Sequence, residues 1–170
     1  MITKNPRYSS EESEKVIFKM SFENNIKKLN INLPKAPDPV GAYVASKIVG
    51  NLIFISGQIP FDSGGKLIKG KVGKELSLEQ AQEAAKFCAL NLLAQLKKIC
   101  GSLDKVKGCV KITGYVNSID SFVDQPKVIN GASDLISNVF GDKGKHTRAA
   151  VSANSLPLGA AVEVEGIFEI

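Results

Sequence analysis

Of the 22 basic residues in this 170-residue chain only Arg7 and Arg148 are arginine, so wherever a solvated positive charge suffices the sequence uses lysine. An arginine kept inside the β-branched stretch Thr147 to Ala153 points to a use for its planar fork, which binds a carboxylate or phosphate through two parallel hydrogen bonds. The plainer alternative is an ion pair with a glutamate on a neighbouring strand, and the residues alone favour neither. Candidate glutamates follow closely. From Ala161 to Ile170 the chain alternates, so that Val162, Val164, Phe168 and Ile170 share one face of a strand while Glu163, Glu165, Ile167 and Glu169 share the other. A turn through Leu156-Pro157-Leu158-Gly159 predicts that the two runs form a C-terminal hairpin, with Arg148 and Glu163 at the rim of one sheet face.

Other reactive residue types point elsewhere. Cys88, Cys100 and Cys109 are odd in number, form no Cys-x-x-Cys pair and lie in apolar or strand contexts, which predicts reduced core thiols of an intracellular protein, cytoplasmic with an organellar setting as the alternative. With one histidine, His146, a zinc site lacks ligands, so no metal is expected. His146 itself reads as a surface or pocket-rim residue, and Glu165 and Glu169 as solvated or paired strand acids. The net charge of +5 raises the question of nucleic acid, but the lysines are scattered apart from a cluster at Lys66, Lys69, Lys71 and Lys74 among glycines, and no aromatic stacking motif accompanies them. A solvated basic surface is the reading, with nucleic acid not expected as a partner. No apolar run approaches the roughly 20 residues that span a bilayer, so no membrane association is expected.

The elements that must position Arg148 and Glu163 can be read in order. Residues 1–19 are polar, carry no apolar period and resemble neither a secretory signal nor a transit peptide, which predicts a flexible tail ahead of one domain over residues 20–170. Ser21 caps a short helix from Phe22 to Leu29. Leu33 to Val40 holds three prolines and must be an irregular connector. Tyr43 to Val49, a reversal at Gly50-Asn51 and Leu52 to Ile59 predict a β-hairpin. Ser77-Leu78-Glu79-Gln80 has the form of a capping box and opens a long helix closed by Gly101. A strand over Lys107 to Asn117 follows, with Val110, Ile112 and Val116 on one side and Cys109, Lys111, Thr113 and Tyr115 on the other. A second long helix begins at Pro126 as N1, turns Ile129, Ala132, Leu135, Ile136 and Val139 inward and ends at Gly141. The order predicts an α+β fold, a two-layer domain with two long helices on one face of a mixed sheet. The other face, with Leu52, Phe54, Tyr115 and Ile167 beside Arg148 and Glu163, has no layer of its own and implies a second copy of the chain.

These residues together resemble the RidA (YjgF/YER057c/UK114) family. The resemblance runs from about Pro39 to Ile170 on three blocks: Val40-Gly41-Ala42-Tyr43 with Ile55-Ser56-Gly57-Gln58-Ile59-Pro60, then Val128-Ile129-Asn130, then Arg148 with Leu156-Pro157 and Val162-Glu163-Val164-Glu165. It implies a homotrimer with a chorismate mutase-like fold, sites between subunits and no cofactor. It also implies hydrolysis of reactive enamines and imines, such as 2-aminoacrylate and 2-iminobutanoate, to 2-keto acids and ammonia. By the same resemblance Arg148 grips the substrate carboxylate and Glu163 holds the attacking water. Tyr43, Ser56, the Gly57 backbone and Asn130 line the cleft for the small 2-imino or 2-keto acid. Tyr43 and Asn130 read equally well as packing residues. The family often carries Cys two residues after the arginine and Pro two before it, where this chain has Ala150 and His146. Relatives described as endoribonucleases or translation inhibitors, and a carboxylate binder without turnover, are the competing implications.

Overall fold

The computed structural model describes residues 21–39 and 41–170. The tail expected over residues 1–19, together with Met20 and with Val40 of the first family block, lies outside the described residues. Where the sequence supplies strong terminal signals, the elements begin and end on them. Ser21 Oγ accepts from the Asn24 amide to open α1 (Phe22–Lys28), and β1 (Ser46–Val49) turns at Gly50 and Asn51 into β2 (Leu52–Gln58). Ser77 and Gln80 complete a reciprocal capping box on α2 (Leu78–Cys100), and Gly101, at φ 76°, closes that helix from the left-handed region. Then come β3 (Gly108–Asn117), α3 (Gln125–Phe140), β4 (Thr147–Ala153) and β5 (Val162–Glu169). Pro126 falls one position later in α3 than N1, and Gly141 ends it as expected.

The strands form one mixed sheet in the order β1-β2-β5-β3-β4. This corrects the C-terminal hairpin. β4 and β5 are not neighbours: β3 lies between them, parallel to β4 and antiparallel to β5. The physical reason lies on either side of β4. A strand, a 16-residue helix and a strand make a crossover unit that sets β3 and β4 side by side in parallel. The segment after β4 then carries the chain past the end of β3 to the centre of the sheet. That segment is stitched to the lysine-rich loop, since Gly70 N donates to Gly159 O (3.1 Å), Ala161 N to Ile68 O (3.1 Å) and Lys71 Nζ to Asn154 O (2.6 Å). Lys71 Nζ also donates to Asn117 Oδ1 and Ser118 O, both at 3.2 Å, so one of the four clustered lysines is a structural tie.

Both long helices cover one face. Ile53, Ile55, Ile112, Val116, Val164 and Phe168 from the sheet close on Leu92, Leu93, Leu96, Ile129, Ile136 and Phe140, all buried, each large side chain contributing about 1.5–3 kcal/mol through its removal from water. Phe22 meets Phe140 edge-to-face with ring centroids 4.8 Å apart, which docks α1 on α3. The expected alternation in β3 fails at one point. Cys109 pairs with Phe168 and Lys111 with Ile167, so Val110 is an extra residue, and this bulge buries Cys109 and leaves Val110 40% exposed. The other sheet face is open. Phe54 opposite Ile167, and Val151 opposite Tyr115, stand 41% and 45% exposed. Among the described residues no helix is long and apolar enough to cross a membrane.

Candidate functional site

The candidate residues fall into two groups, and the sheet decides which. In β2 the ladder slips between Ile55, opposite Gly166, and Gln58, opposite Val164, so Ser56 and Gly57 bulge out beside β5. Gln58, buried, turns its amide back and donates from Nε2 to Ser56 O (2.9 Å) and Gly57 O (3.3 Å), occupying carbonyls that the bulge takes out of the ladder. Ser56 Oγ donates to Val44 O (2.8 Å) and Ser56 N to Ala45 O (3.0 Å), which fastens the segment leading from Tyr43 into β1. Over the bulge lies the side chain of Glu163, at a place open to it because Gly57 has no Cβ. Tyr43 and Gly57 line one small cavity of about 100 Å³ with Pro37, Asp38 and Gln58. Ser56 opens instead on a recess of about 280 Å³ on the open sheet face, with Phe54, Thr113, Glu165 and Ile167.

Glu163 is half-buried, and that burial, assisted by Glu165 two residues along the same face, raises its carboxyl above the ordinary glutamate value. Tyr115 Oη donates to Glu165 Oε1 at 3.5 Å, and burial and Glu165 push the phenol up in turn. A raised carboxyl has a consequence for stability. The folded chain holds that proton more tightly than the unfolded one, so the penalty is absent below the ordinary glutamate value and grows as pH rises through the raised one. Glu163→Gln is therefore expected to melt higher than the wild type at pH 7 and at the same temperature at pH 4. A lower melting temperature at pH 7 would show that the carboxylate is held by partners rather than burdened by burial.

The second group forms on the helix side. Arg148 pairs in register with Ile112, which faces the helices, and so projects toward α3 and not from the open face expected for it. Its Nη1 donates to Asn130 Oδ1 (2.8 Å) and Ser133 Oγ (3.1 Å). Those two bonds use both Nη1 hydrogens. Among the described residues Nε and Nη2 make no hydrogen bond, so the edge left over is the side-on Nε–Nη2 edge, which fits the two oxygens of a carboxylate. No ion pair joins Arg148 to a strand glutamate. Asn130 and Ser133 are one turn apart on α3, and Ser133 in turn meets His146 Nε2 at 3.0 Å.

The two groups stand apart. Arg148 is level with Ile112 and Gly166, and Glu163 is level with Tyr115, so two strand spacings and three residues of rise separate their Cα atoms by about 14 Å, on opposite faces. The structure thus brings Glu163 to Gly57 at the β2 bulge, with Tyr43 on the small cavity beside Gly57 and Ser56 on the separate recess, and brings Asn130 to Arg148, but does not bring the two sets together within one chain. Sequence reasoning missed Gln58 and Ser133, and read His146 as a rim residue. Gln58 sat inside a motif as a strand polar residue, and a bulge leaves no periodic mark that would show its amide turning inward. Ser133 carried a signal in its spacing, three residues after Asn130 on one helical face.

All three thiols are free. Cys88 and Cys109 are buried and Cys100 partly so, and burial pushes Cys109 up to about 12 and Cys88 well above its ordinary value. Among the described residues no three His, Cys, Asp or Glu side chains group closely enough to hold a metal.

Comparison with known proteins adds the following. Residues 23–169 match the family described as "YjgF/chorismate_mutase-like, putative endoribonuclease". Protein TCP17 of Trypanosoma cruzi is 43% identical over 147 residues, 86% of this chain and 92% of that one. The 2-iminobutanoate/2-iminopropanoate deaminase of Rattus norvegicus is 32% identical over 143 residues, 81% of this chain and 86% of the rat protein. The crystal structure of Atu1372 from Agrobacterium tumefaciens, a protein of unknown function, superposes with a TM-score of 0.81 at 45% identity, covering 88% of this chain and 92% of that one.

Proposed function

This chain belongs to the YjgF/chorismate mutase-like family, and from that premise we propose that it hydrolyses 2-imino acids and their enamine tautomers to 2-keto acids and ammonia, at sites completed between subunits of a homotrimer. The observation that carries this reading is Arg148: an arginine in a lysine-rich chain, with Nη1 fully engaged by α3 and the side-on edge left for a carboxylate. The likeness to the rat imine deaminase supports the reaction class.

The chemistry follows from the two groups. A 2-imino acid carries an electrophilic C=N carbon next to its carboxylate. With the carboxylate on Arg148, a water held by Glu163 stands over that carbon. As the water oxygen bonds to carbon, one of its protons passes to Glu163, which hands it on to the imine nitrogen. Glu163 then takes the hydroxyl proton of the resulting carbinolamine and delivers it to the amine as the C–N bond breaks, so that ammonia and the 2-keto acid leave. A glutamate raised above its ordinary value exchanges that proton more readily near neutrality than an unperturbed one. Tyr43, Ser56, the Gly57 backbone and Asn130 line the cleft in this reading, and no step in it calls on a cofactor.

The trimer belongs to the reading because the open sheet face presents Phe54 and Val151 to water and because neither group of residues is a site alone. Light scattering is expected to return a trimer's mass at micromolar concentration, and a monomer's mass would remove the shared site. A cytoplasmic setting, part of the same reading, is supported by the free thiols. The endoribonuclease reading draws on the family's description and on the lysine-rich loop, but Lys71 is engaged internally there and less basic surface remains for phosphates than the sequence promised.

The test is keto acid formation from freshly generated 2-iminobutanoate, run beside a protein-free blank. Charge-assisted hydrogen bonds are worth roughly 1.5–3 kcal/mol, so Arg148→Lys, which keeps the charge and loses the fork, is expected to lower kcat/KM about tenfold to a hundredfold. Absence of acceleration by the wild type, or equal acceleration by Arg148→Ala, would overturn the reading.

A further inference from the structure

The hydroxyl of Ser133 sits between two groups, 3.1 Å from Arg148 Nη1 and 3.0 Å from His146 Nε2. The directions of the bonds around it can be worked out. A guanidinium only donates, so Ser133 Oγ accepts from Arg148. His146 Nδ1 is 2.6 Å from the carbonyl oxygen of Gly144, which only accepts, so Nδ1 carries the ring proton. In the neutral ring Nε2 is then bare and takes the Ser133 proton. The result is one ordered chain: Arg148 donates to Ser133, Ser133 donates to His146, and His146 donates to the backbone of the turn Gly141–Gly144 at the end of α3. Gly144 is buried, so the chain ends on packed backbone and not in solvent.

We propose that His146 is a positioning residue for Arg148: by accepting the Ser133 proton it fixes the Ser133 lone pairs toward Nη1 and so holds the guanidinium with its Nε–Nη2 edge presented to the carboxylate of a 2-imino or 2-keto acid. This rests on the reading of Arg148 under Proposed function and adds to it the part that orients the fork. Without His146 the Ser133 hydroxyl turns freely, Nη1 keeps only Asn130 as a fixed partner, and one bond leaves the guanidinium free to pivot about it where two bonds do not. The chain's one histidine acts here neither as a base nor as a ligand.

The experiment measures binding of 2-oxobutanoate, the stable product, to the full-length protein by titration calorimetry, so it does not depend on turnover. His146→Ala is expected to weaken binding about threefold to tenfold, the range for one hydrogen bond that orders a charged partner. His146→Gln, whose amide offers an acceptor to Ser133 and a donor to Gly144, is expected to recover most of that loss. In an Arg148→Lys background, where there is no fork to orient, removing His146 is expected to change binding by less than about twofold. Should His146→Ala fail to fold, Ser133→Ala breaks the same chain at a helix position and is expected to show the same loss. Wild-type affinity in His146→Ala, or in Ser133→Ala, would overturn the proposal, as would an equal loss in the Arg148→Lys background, which marks a structural role. If the wild type itself binds no 2-oxobutanoate, the carboxylate reading of Arg148 falls and this inference with it.

Discussion

Mixing Arg148→Ala subunits with Glu163→Gln subunits is expected to restore about a quarter of the wild-type imine-hydrolysing sites, although each variant alone is nearly inactive. The reasoning is geometric. Arg148 is held on the helix side of β4 by Asn130 and Ser133, and Glu163 lies over the β2 bulge on the other face, with about 14 Å of sheet between them. One small 2-imino acid cannot touch both within a chain. Where each site takes its arginine from one subunit and its glutamate from the next, an intact site needs a Glu163→Gln subunit as arginine donor and an Arg148→Ala subunit as glutamate donor. Random assembly supplies that pairing at about one interface in four. The measurement is ammonia release after the two variants are unfolded together and refolded at equal amounts, compared with each refolded alone. Recovery absent from a mixture shown by mass to contain both variants would mean that the two residues do not share a site across an interface.

The segment between β4 and β5 shows why the separation of Arg148 from Glu163 is not legible in the sequence. Along the sequence, β4 and β5 are two strands around a Pro-Gly turn, which is the local signature of a hairpin. What separates them is a long-range preference: β3 and β4 flank α3, and a strand, helix, strand unit pairs its strands in parallel. Local turn chemistry and topology competed, and topology won because α3 buries Val128, Ile129, Ala132, Ile136 and Val139 against the sheet and α2, which outweighs a two-strand ladder. With β3 inserted, Arg148 moved one strand further from Glu163, and its register with Ile112 turned it to the opposite face.

By contrast, elements fixed by local chemistry were legible almost to the residue. Ser77 with Gln80, Gly101, and the Gly50-Asn51 turn act over three or four residues and depend on no distant partner. The chemistry of the site was legible in part. Residue type drew attention to Arg148 as one of two arginines among lysines, and alternation put Glu163, Glu165 and Glu169 on one strand face, while the choice of Glu163 among them came from the family resemblance. The residues that hold them, Gln58, Ser133 and His146, act through single hydrogen bonds to groups 1 to 15 residues away, and such bonds leave no periodicity. The bulges in β2 and β3 are of the same kind, since one extra residue changes which side chains face inward without changing composition.

Gly57→Ala is expected to lower turnover about a hundredfold with little change in KM and a melting temperature within a few degrees of the wild type. A Cβ at Gly57 would overlap Glu163 Oε1 and would stand 2.8 Å from Glu163 Cδ and 3.0 Å from Cγ, so one of the two must move. Gly57 is not among the glycines with positive φ, so alanine adopts its backbone without conformational strain, and the Gln58 amide still holds the Ser56 and Gly57 carbonyls. Glu163 is the end of a flexible side chain, so the carboxylate gives way, at roughly 1 kcal/mol for an off-rotamer position. The fold therefore survives, but the carboxylate is displaced by an ångström or more, enough to cost about a hundredfold where a water must be held over one carbon. In the proposed shared site substrate affinity is spared, because there Arg148 of the neighbouring subunit would hold the carboxylate. Gly64→Ala, where an added Cβ meets only Asp62 Oδ1 at 3.4 Å on an exposed loop, serves as the control expected to change nothing. Unchanged turnover in Gly57→Ala would remove Glu163 from the water-holding role, and a collapsed melting temperature would mean that the close approach of Glu163 to Gly57 serves the sheet and not the reaction.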